Sequence, residues 1–158
     1  MTRPSYSEDT QMRIADIALG LRVVRPAAAI AAATNLFTVA GGNVLITGFY
    51  GEIMVVIDGA NQLTLTYDAD TGATDTVLGS QGANLNTFVA GRMIYLPAAA
   101  GALTNTGTCG ACPLDVAENW ILPPGHFDLT STGTTTTGTI RWTLFYIPLA
   151  DGAYVYAT

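Results

Sequence analysis

The sequence predicts an all-β sandwich or barrel behind an extended N-terminal arm, on three observations. Short apolar runs recur at intervals of roughly 8–12 residues with Gly, Pro, Asn or Asp between them, the spacing of antiparallel sandwiches and barrels. No segment after residue 34 has convincing helical periodicity. Only 11% of the 158 residues are charged, whereas Thr and Ala supply 23 each and Gly 17. A charged fraction under half the usual quarter excludes a disordered chain, a coiled coil and a solvated helical bundle. The length is that of one domain with a substantial core.

Residues 1–34 form the expected arm. Ile17, Leu19, Leu21 and Val23 alternate with Asp16, Ala18, Gly20 and Arg22, the period of an extended strand. A short helix over Thr10–Leu19 competes, because Met12, Ala15 and Leu19 share one helical face. Gly20 and the β-branched pair Val23-Val24 favour extension. After Arg25-Pro26, the segment AAAIAAAT (27–34) is a small-residue connector whose side chains cost little entropy to order.

Residues 35–158 form the expected sandwich domain. LFTV (36–39) and NVLITGFYGEIMVVI (43–57) flank Ala40-Gly41-Gly42, a strong turn signal. Gly48 and Gly51 interrupt the longer run and predict a bend where the strand crosses between sheets. QLTLTYD (62–68) alternates Leu63, Leu65 and Tyr67 with Thr64 and Thr66, giving a half-buried strand with one wet face. TVLG (76–79), NTFV (86–89) and RMIYL (92–96) are further strands, followed by an Ala/Gly/Thr-rich loop over 98–114 and by VAENWIL (116–122). Pro123-Pro124-Gly125 turns into HFDLTS (126–131), and STGTTTTGT (131–139) is a polar hairpin tip or edge. TIRWTLFYIPL (139–149) is the strongest strand, and AYVYA (153–157) closes the chain behind Asp151-Gly152. Both sides of the strongest strand are bulky, with Ile140, Trp142, Leu144 and Tyr146 opposite Arg141, Thr143, Phe145 and Ile147. Such a strand is central in a monomer, or is buried twice, in its own core and against another subunit.

Charge and cysteine usage narrow the partners. The net charge of −6 divides unevenly, with four arginines against three acids in residues 1–26 and two against nine in the remainder, and there is no lysine. An acidic body with two cations cannot neutralise a row of phosphates or an anionic membrane surface, so neither nucleic acid nor membrane is an expected partner. No apolar stretch reaches the length of a membrane span, and the N-terminus lacks a signal-peptide layout, so synthesis in the cytoplasm is expected. Cys109 and Cys112 supply half a zinc site that His126 alone cannot complete, and are expected to be loop cysteines.

Reactive constellations are sparse. His126 follows a Pro-Pro-Gly turn, and Ser5, Ser7, Ser80 and Ser131 all lack the Gly-x-Ser-x-Gly elbow, so a surface histidine is expected over a catalytic base. Asp68, Asp70 and Asp75 are crowded like a calcium loop, but the terminal Glu of that pattern is missing and a solvated hairpin tip explains them better. Glu52 and Glu118 are expected to be strand-edge charges that block sheet addition. Trp120, Trp142 and the seven tyrosines suit a core or interface before a sugar groove. No enzyme, metal or cofactor is expected.

The short arm, the opening LFTVAGGNVLITGFYGEIMVVI, the turn-strand PPGHFDLTSTG and the closing GTIRWTLFYIPLADGAYVYA together resemble small structural proteins of tailed bacteriophages. The resemblance is to capsid decoration (cement) proteins built as a jelly roll or related β-sandwich, and it covers roughly residues 35–158. It implies a virion protein, often a homotrimer, that sits on the outside of the head and locks neighbouring major capsid subunits together. It also implies an arm that reaches across the lattice, with Arg13, Ile17, Leu19, Leu21, Arg22, Val23 and Arg25 as assembly contacts. The acidic body would then attach through apolar and backbone contacts, since capsid exteriors are often acidic too. Few charges on a markedly apolar chain are also what a permanently assembled subunit needs, and an alternating arm is suited to adding to a neighbour's sheet edge. The alternative expectation is a tail or head-fibre module that binds host-surface carbohydrate.

Overall fold

A computed structural model of the chain describes residues 19–71, 75–86, 88–96, 101–105, 119–133 and 137–158. Within them, the strands in chain order are β1 (Leu21–Ala29), β2 (Ala33–Ala40), β3 (Val44–Val55), β4 (Leu63–Ala69), β5 (Thr76–Gly79), β6 (Met93–Tyr95), β7 (Thr104–Asn105), β8 (Trp120–Leu122), β9 (Gly125–Ser131), β10 (Thr139–Pro148) and β11 (Tyr154–Ala157). They form two sheets of antiparallel strands. The first runs β1-β10-β3-β6-β7 with β8 also paired to β3, and the second runs β11-β2-β9-β4-β5. The expected all-β sandwich is what the chain adopts. The pairs β1·β10, β2·β9, β3·β8 and β4·β5 nest inside one another along the sequence, as if one long hairpin had been wound around the core.

The core lies between the sheets and is centred on aromatic rings from both. Phe49 of β3 stacks on Trp142 of β10 at 5.1 Å and on Phe127 of β9 at 6.4 Å, while Phe37 of β2 and Tyr67 of β4 meet Phe127 edge-on. Strict alternation supplies most of this face, as in Leu63, Leu65 and Tyr67. In β2 a register shift between Asn35 and Phe37 lets the consecutive residues Leu36 and Phe37 both be fully buried.

Several expectations need correction. The arm does not extend to residue 34: Leu21–Ala29 is β1, an edge strand hydrogen-bonded to β10, and β2 begins at Ala33. The alternation seen in the sequence is real from Leu21 onwards, but it fits the chain's own open edge. Gly20 stops the strand on its N-terminal side with φ of +79°, where a Cβ would lie 2.2 Å from the Tyr146 carbonyl oxygen. The long run 43–57 does not cross between sheets, because β3 pairs with β10 along its length and Gly48 sits only at a local register shift. Of residues 86–89, those described form no strand; Phe88 is buried and donates its backbone N–H to the Leu85 carbonyl in a turn. The segment 131–139 joins β9 of the second sheet to β10 of the first, so it is a crossover and not a hairpin tip.

A candidate assembly face on the first sheet

The outward side of the first sheet is the unusual surface of this molecule. In β10, Ile140, Trp142, Leu144 and Tyr146 point into the core and are buried, which sends Arg141, Thr143, Phe145 and Ile147 outwards. Pairing then extends each outward position across the sheet. Val24 of β1, Thr143, Tyr50 of β3 and Tyr95 of β6 make one cross-strand row. Ile147, Leu45 and Ile121 make another. Arg22 faces Phe145, and Arg141 faces Glu52 and Met93 through β3. Val24 is 37% and Ile121 61% exposed, and Leu45, Tyr50, Met93, Tyr95, Phe145 and Ile147 are all half-buried. The rings of Tyr50 and Phe145 pack at 6.4 Å. A shallow hollow of about 360 Å³ opens on this face between Arg22, Val24, Tyr50, Arg141 and Thr143.

Charge on the face is limited and partly spent within it. Arg141 donates to the Glu52 carboxylate across the β10–β3 pair, so Glu52 is a mid-sheet partner and not the strand-edge guard expected from the sequence. An ion pair this exposed adds at most about 1 kcal/mol to stability. Its effect is to leave a surface that is apolar with Arg22 as an exposed cation beside it. A second exposed apolar cluster, Met54, Val55, Val56 and Val89, lies where β3 runs out beside the Phe88–Arg92 turn. There Arg92 covers the Phe88 ring at 3.9 Å.

The two sheets differ in charge. Among the described residues, the strands of the first sheet carry Arg22, Arg25 and Arg141 against Glu52, with Arg92 adjoining β6. Those of the second carry Asp68 and Asp128 and no Arg or Lys, with Asp70 and Asp75 in the β4–β5 connection. Crowding shows in the proton affinities. Burial, reinforced by Asp68, raises the Asp128 pKa above the ordinary aspartate value, with His126 opposing. Burial and the nearby Asp70 and Asp68 push the Tyr67 phenol well above its ordinary range, so it stays a donor to the Pro123 carbonyl.

The expected assembly residues divide by position. Arg22 stands on the outward face, and Leu21 is 43% exposed at the β1 edge. Val23 packs half-buried against the core instead of reaching out. Arg25 is committed internally: its Nε donates to the Thr158 carbonyl at 2.9 Å, tying the β1 edge of one sheet to the end of the chain beyond β11 in the other. Burial accordingly lowers its pKa. Leu19 is half-buried, and its carbonyl accepts the Thr47 hydroxyl of β3. Arg13 and Ile17 lie outside the described residues, as do Cys109, Cys112, Glu118 and most of the segment Thr10–Leu19 over which a helix competed with the expected extended arm. Among the described residues, no three His, Cys, Asp or Glu side chains group as metal ligands, and no helix is long and apolar enough to cross a membrane.

No family model matches the chain, and neither does any curated protein or solved structure.

The face itself was only half visible in the sequence. The double bulk of β10 signalled a strand that is either central or buried twice, and β10 does lie between β1 and β3, but Leu45, Tyr50, Tyr95 and Ile121 join its outward side only through strand pairings between residues far apart in sequence. The charge division between the sheets likewise depends on which strands pair.

Proposed function

We propose that this protein is a virion structural protein that binds the outer surface of a bacteriophage capsid and cross-links neighbouring major capsid subunits, with the first sheet as its attachment face. The observation that carries this reading is the cross-strand apolar surface built around Phe145 and Ile147. A contiguous apolar sheet face is the kind of surface that association removes from water. Arg22 and Arg141 on the same face, with the aspartates on the opposite sheet, give this side the sign that suits an acidic shell exterior. The nested strand pairs, with the order β1-β10-β3 opposite β2-β9-β4-β5, support a jelly roll made of two interleaved Greek keys. Self-association as a homotrimer completes the proposal, with the exposed Met54–Val56 and Val89 cluster as the contact between copies. The virion exterior is the location that follows, after synthesis in the host cytoplasm.

Undecorated capsids provide the test. Ile121→Asp and Val24→Asp each place a charge on an exposed position of the face without touching the core, so both should melt like the parent protein. Each is expected to weaken shell binding at least about tenfold, the cost of desolvating a charge opposite an apolar contact. Parent-like occupancy by both variants would remove this face from the mechanism. Native mass spectrometry gives the oligomer order, and a Met54→Asp/Val56→Asp variant that remains trimeric would exclude the proposed contact between copies.

A further inference from the structure

The second sheet carries a different surface on its outward side. Tyr154 and Tyr156 of β11 are 51% and 44% exposed, with their rings stacked at 5.9 Å and an interplanar angle of 30°. Tyr156 pairs with Thr38, Thr38 with His126, and His126 with Asp68, so one cross-strand row runs from an aromatic platform to a carboxylate. Three strand spacings make that row roughly 14 Å long, enough for several sugar rings. The polar groups along it are already ordered. The Thr38 hydroxyl, in a residue only 6% exposed, bridges His126 Nδ1 at 3.0 Å and the Thr158 hydroxyl at 3.1 Å. His126 Nε2 is turned towards Asp70 at 3.7 Å. In the next row the face sinks into an open hollow of about 380 Å³ lined by Asn35, Thr66, Asp128 and Thr130.

The structure assigns to this strip the chemistry of a binding site for a neutral oligosaccharide, and we infer that such a glycan lies across β11, β2 and β9 with a pyranose ring on Tyr154 and Tyr156. The electron-rich faces of the tyrosines accept the polarised C–H edge of a pyranose. Imidazole, amide and carboxylate groups along the strip, from His126, Asn35 and Asp68, answer the sugar hydroxyls, and none of these partners requires a charged ligand. A protein anchor site would surround the rings with large apolar side chains, whereas here Ala40 lies beside Tyr154 and the outward positions beyond it are Thr, His, Asn and Asp. The carboxylates Asp68, Asp70 and Asp128, with no Arg or Lys on the strands of this sheet, repel sialic and uronic acids. The site is on the opposite sheet from the proposed attachment face, so a bound shell leaves it open. It neither requires that reading nor is required by it.

The test uses the full chain on an array of neutral hexose and N-acetylhexosamine oligosaccharides beside sialylated and uronic ones, followed by calorimetric titration of the strongest neutral hit. Saturable binding to neutral oligosaccharides alone is expected. Tyr154→Ala/Tyr156→Ala should weaken it at least about tenfold through loss of the stacking surface, and His126→Ala should weaken it to a smaller extent. The double tyrosine variant changes exposed positions, and its melting temperature and capsid binding should match the parent; His126→Ala also takes a partner from the buried Thr38 hydroxyl, so its binding is compared below its own melting temperature. Absence of any neutral ligand, a preference for acidic glycans, or undiminished binding by the double tyrosine variant would each overturn the assignment.

Discussion

At single residues, the fold depends on space as much as on contact. Gly51 of β3 lies against the Trp142 ring, and a Cβ there would approach Cζ3 to 2.7 Å. Trp142 is 1% exposed at the centre of the core, stacked on Phe49, so the ring has nowhere to retreat. Gly51→Ala is therefore expected to cost about 1–3 kcal/mol, the range for overpacking a filled core, measurable by chemical denaturation. Trp142→Phe would make room for the new methyl group, so the double variant should be less destabilised than the sum of the two changes. Additive losses would show that the ring does not set the requirement for glycine. Asp128 offers a second test. Its folded-state pKa is raised, so the fold binds this proton more tightly than the unfolded chain does. The group thus adds stability as pH falls through its folded value, and it opposes folding where it is ionised. Asp128→Asn should raise the melting temperature at pH 7, with the advantage fading below about pH 4, where both states hold the proton. An unchanged difference across that range would rule out the carboxylate as its source.

For the strands, the decisive correction is β1. Its alternating pattern was legible, and so were the β4 alternation, the β5 run and both faces of β10, because period and turn chemistry are local. The destination of β1 was not legible, since a strand that caps the chain's own β10 and one that joins a neighbour have the same period. The small residues Ala27–Ala29 continue the strand to its end. Glu52 was misplaced for the same reason: whether a strand is central or at an edge depends on long-range pairing. The location of β1 yields a truncation prediction. Removing residues 1–18 keeps β1 and its pairing with β10 whole, and gives the reference against which the longer truncation is read. Removing residues 1–29 strips β10 of one of its two partners, turning it into an edge strand, and deletes the Arg25–Thr158 bond. It exposes unpaired backbone groups along a long apolar strand, an edge that invites aggregation. Light scattering and circular dichroism on the two truncations check this directly. A soluble, cooperatively folding second truncation would show that β1 is dispensable to the sandwich. Only the shorter deletion tests whether the N-terminal residues bind a shell, since the longer one also damages the body.

For the whole molecule, the sandwich is polarised: the outward side of the first sheet is largely apolar with Arg22 and Arg141, and that of the second carries threonines and aspartates beside the Tyr154–Tyr156 pair. An overall charge of −6 conceals this, because the sum over the chain discards position. In the proposed role this polarity would orient encounter, with the acidic sheet turned away from an acidic shell and the first sheet turned towards it. It should contribute little to the final affinity, because Arg141 is already paired with Glu52 and exposed charges are screened beyond about 8 Å at physiological salt. Raising the salt from about 0.05 M to about 0.5 M screens both the attraction of Arg22 and the repulsion between a chain of net charge −6 and an acidic shell, so capsid binding is expected to change less than about tenfold. The Ile121→Asp defect should persist at every salt concentration, since apolar burial is not screened. Surface plasmon resonance on immobilised shells separates the two contributions through association and dissociation rates. A loss of affinity by several orders of magnitude in salt, with Ile121→Asp silent, would mean that the arginines hold the complex. The apolar rows across β10, β3 and β8 would then need another explanation.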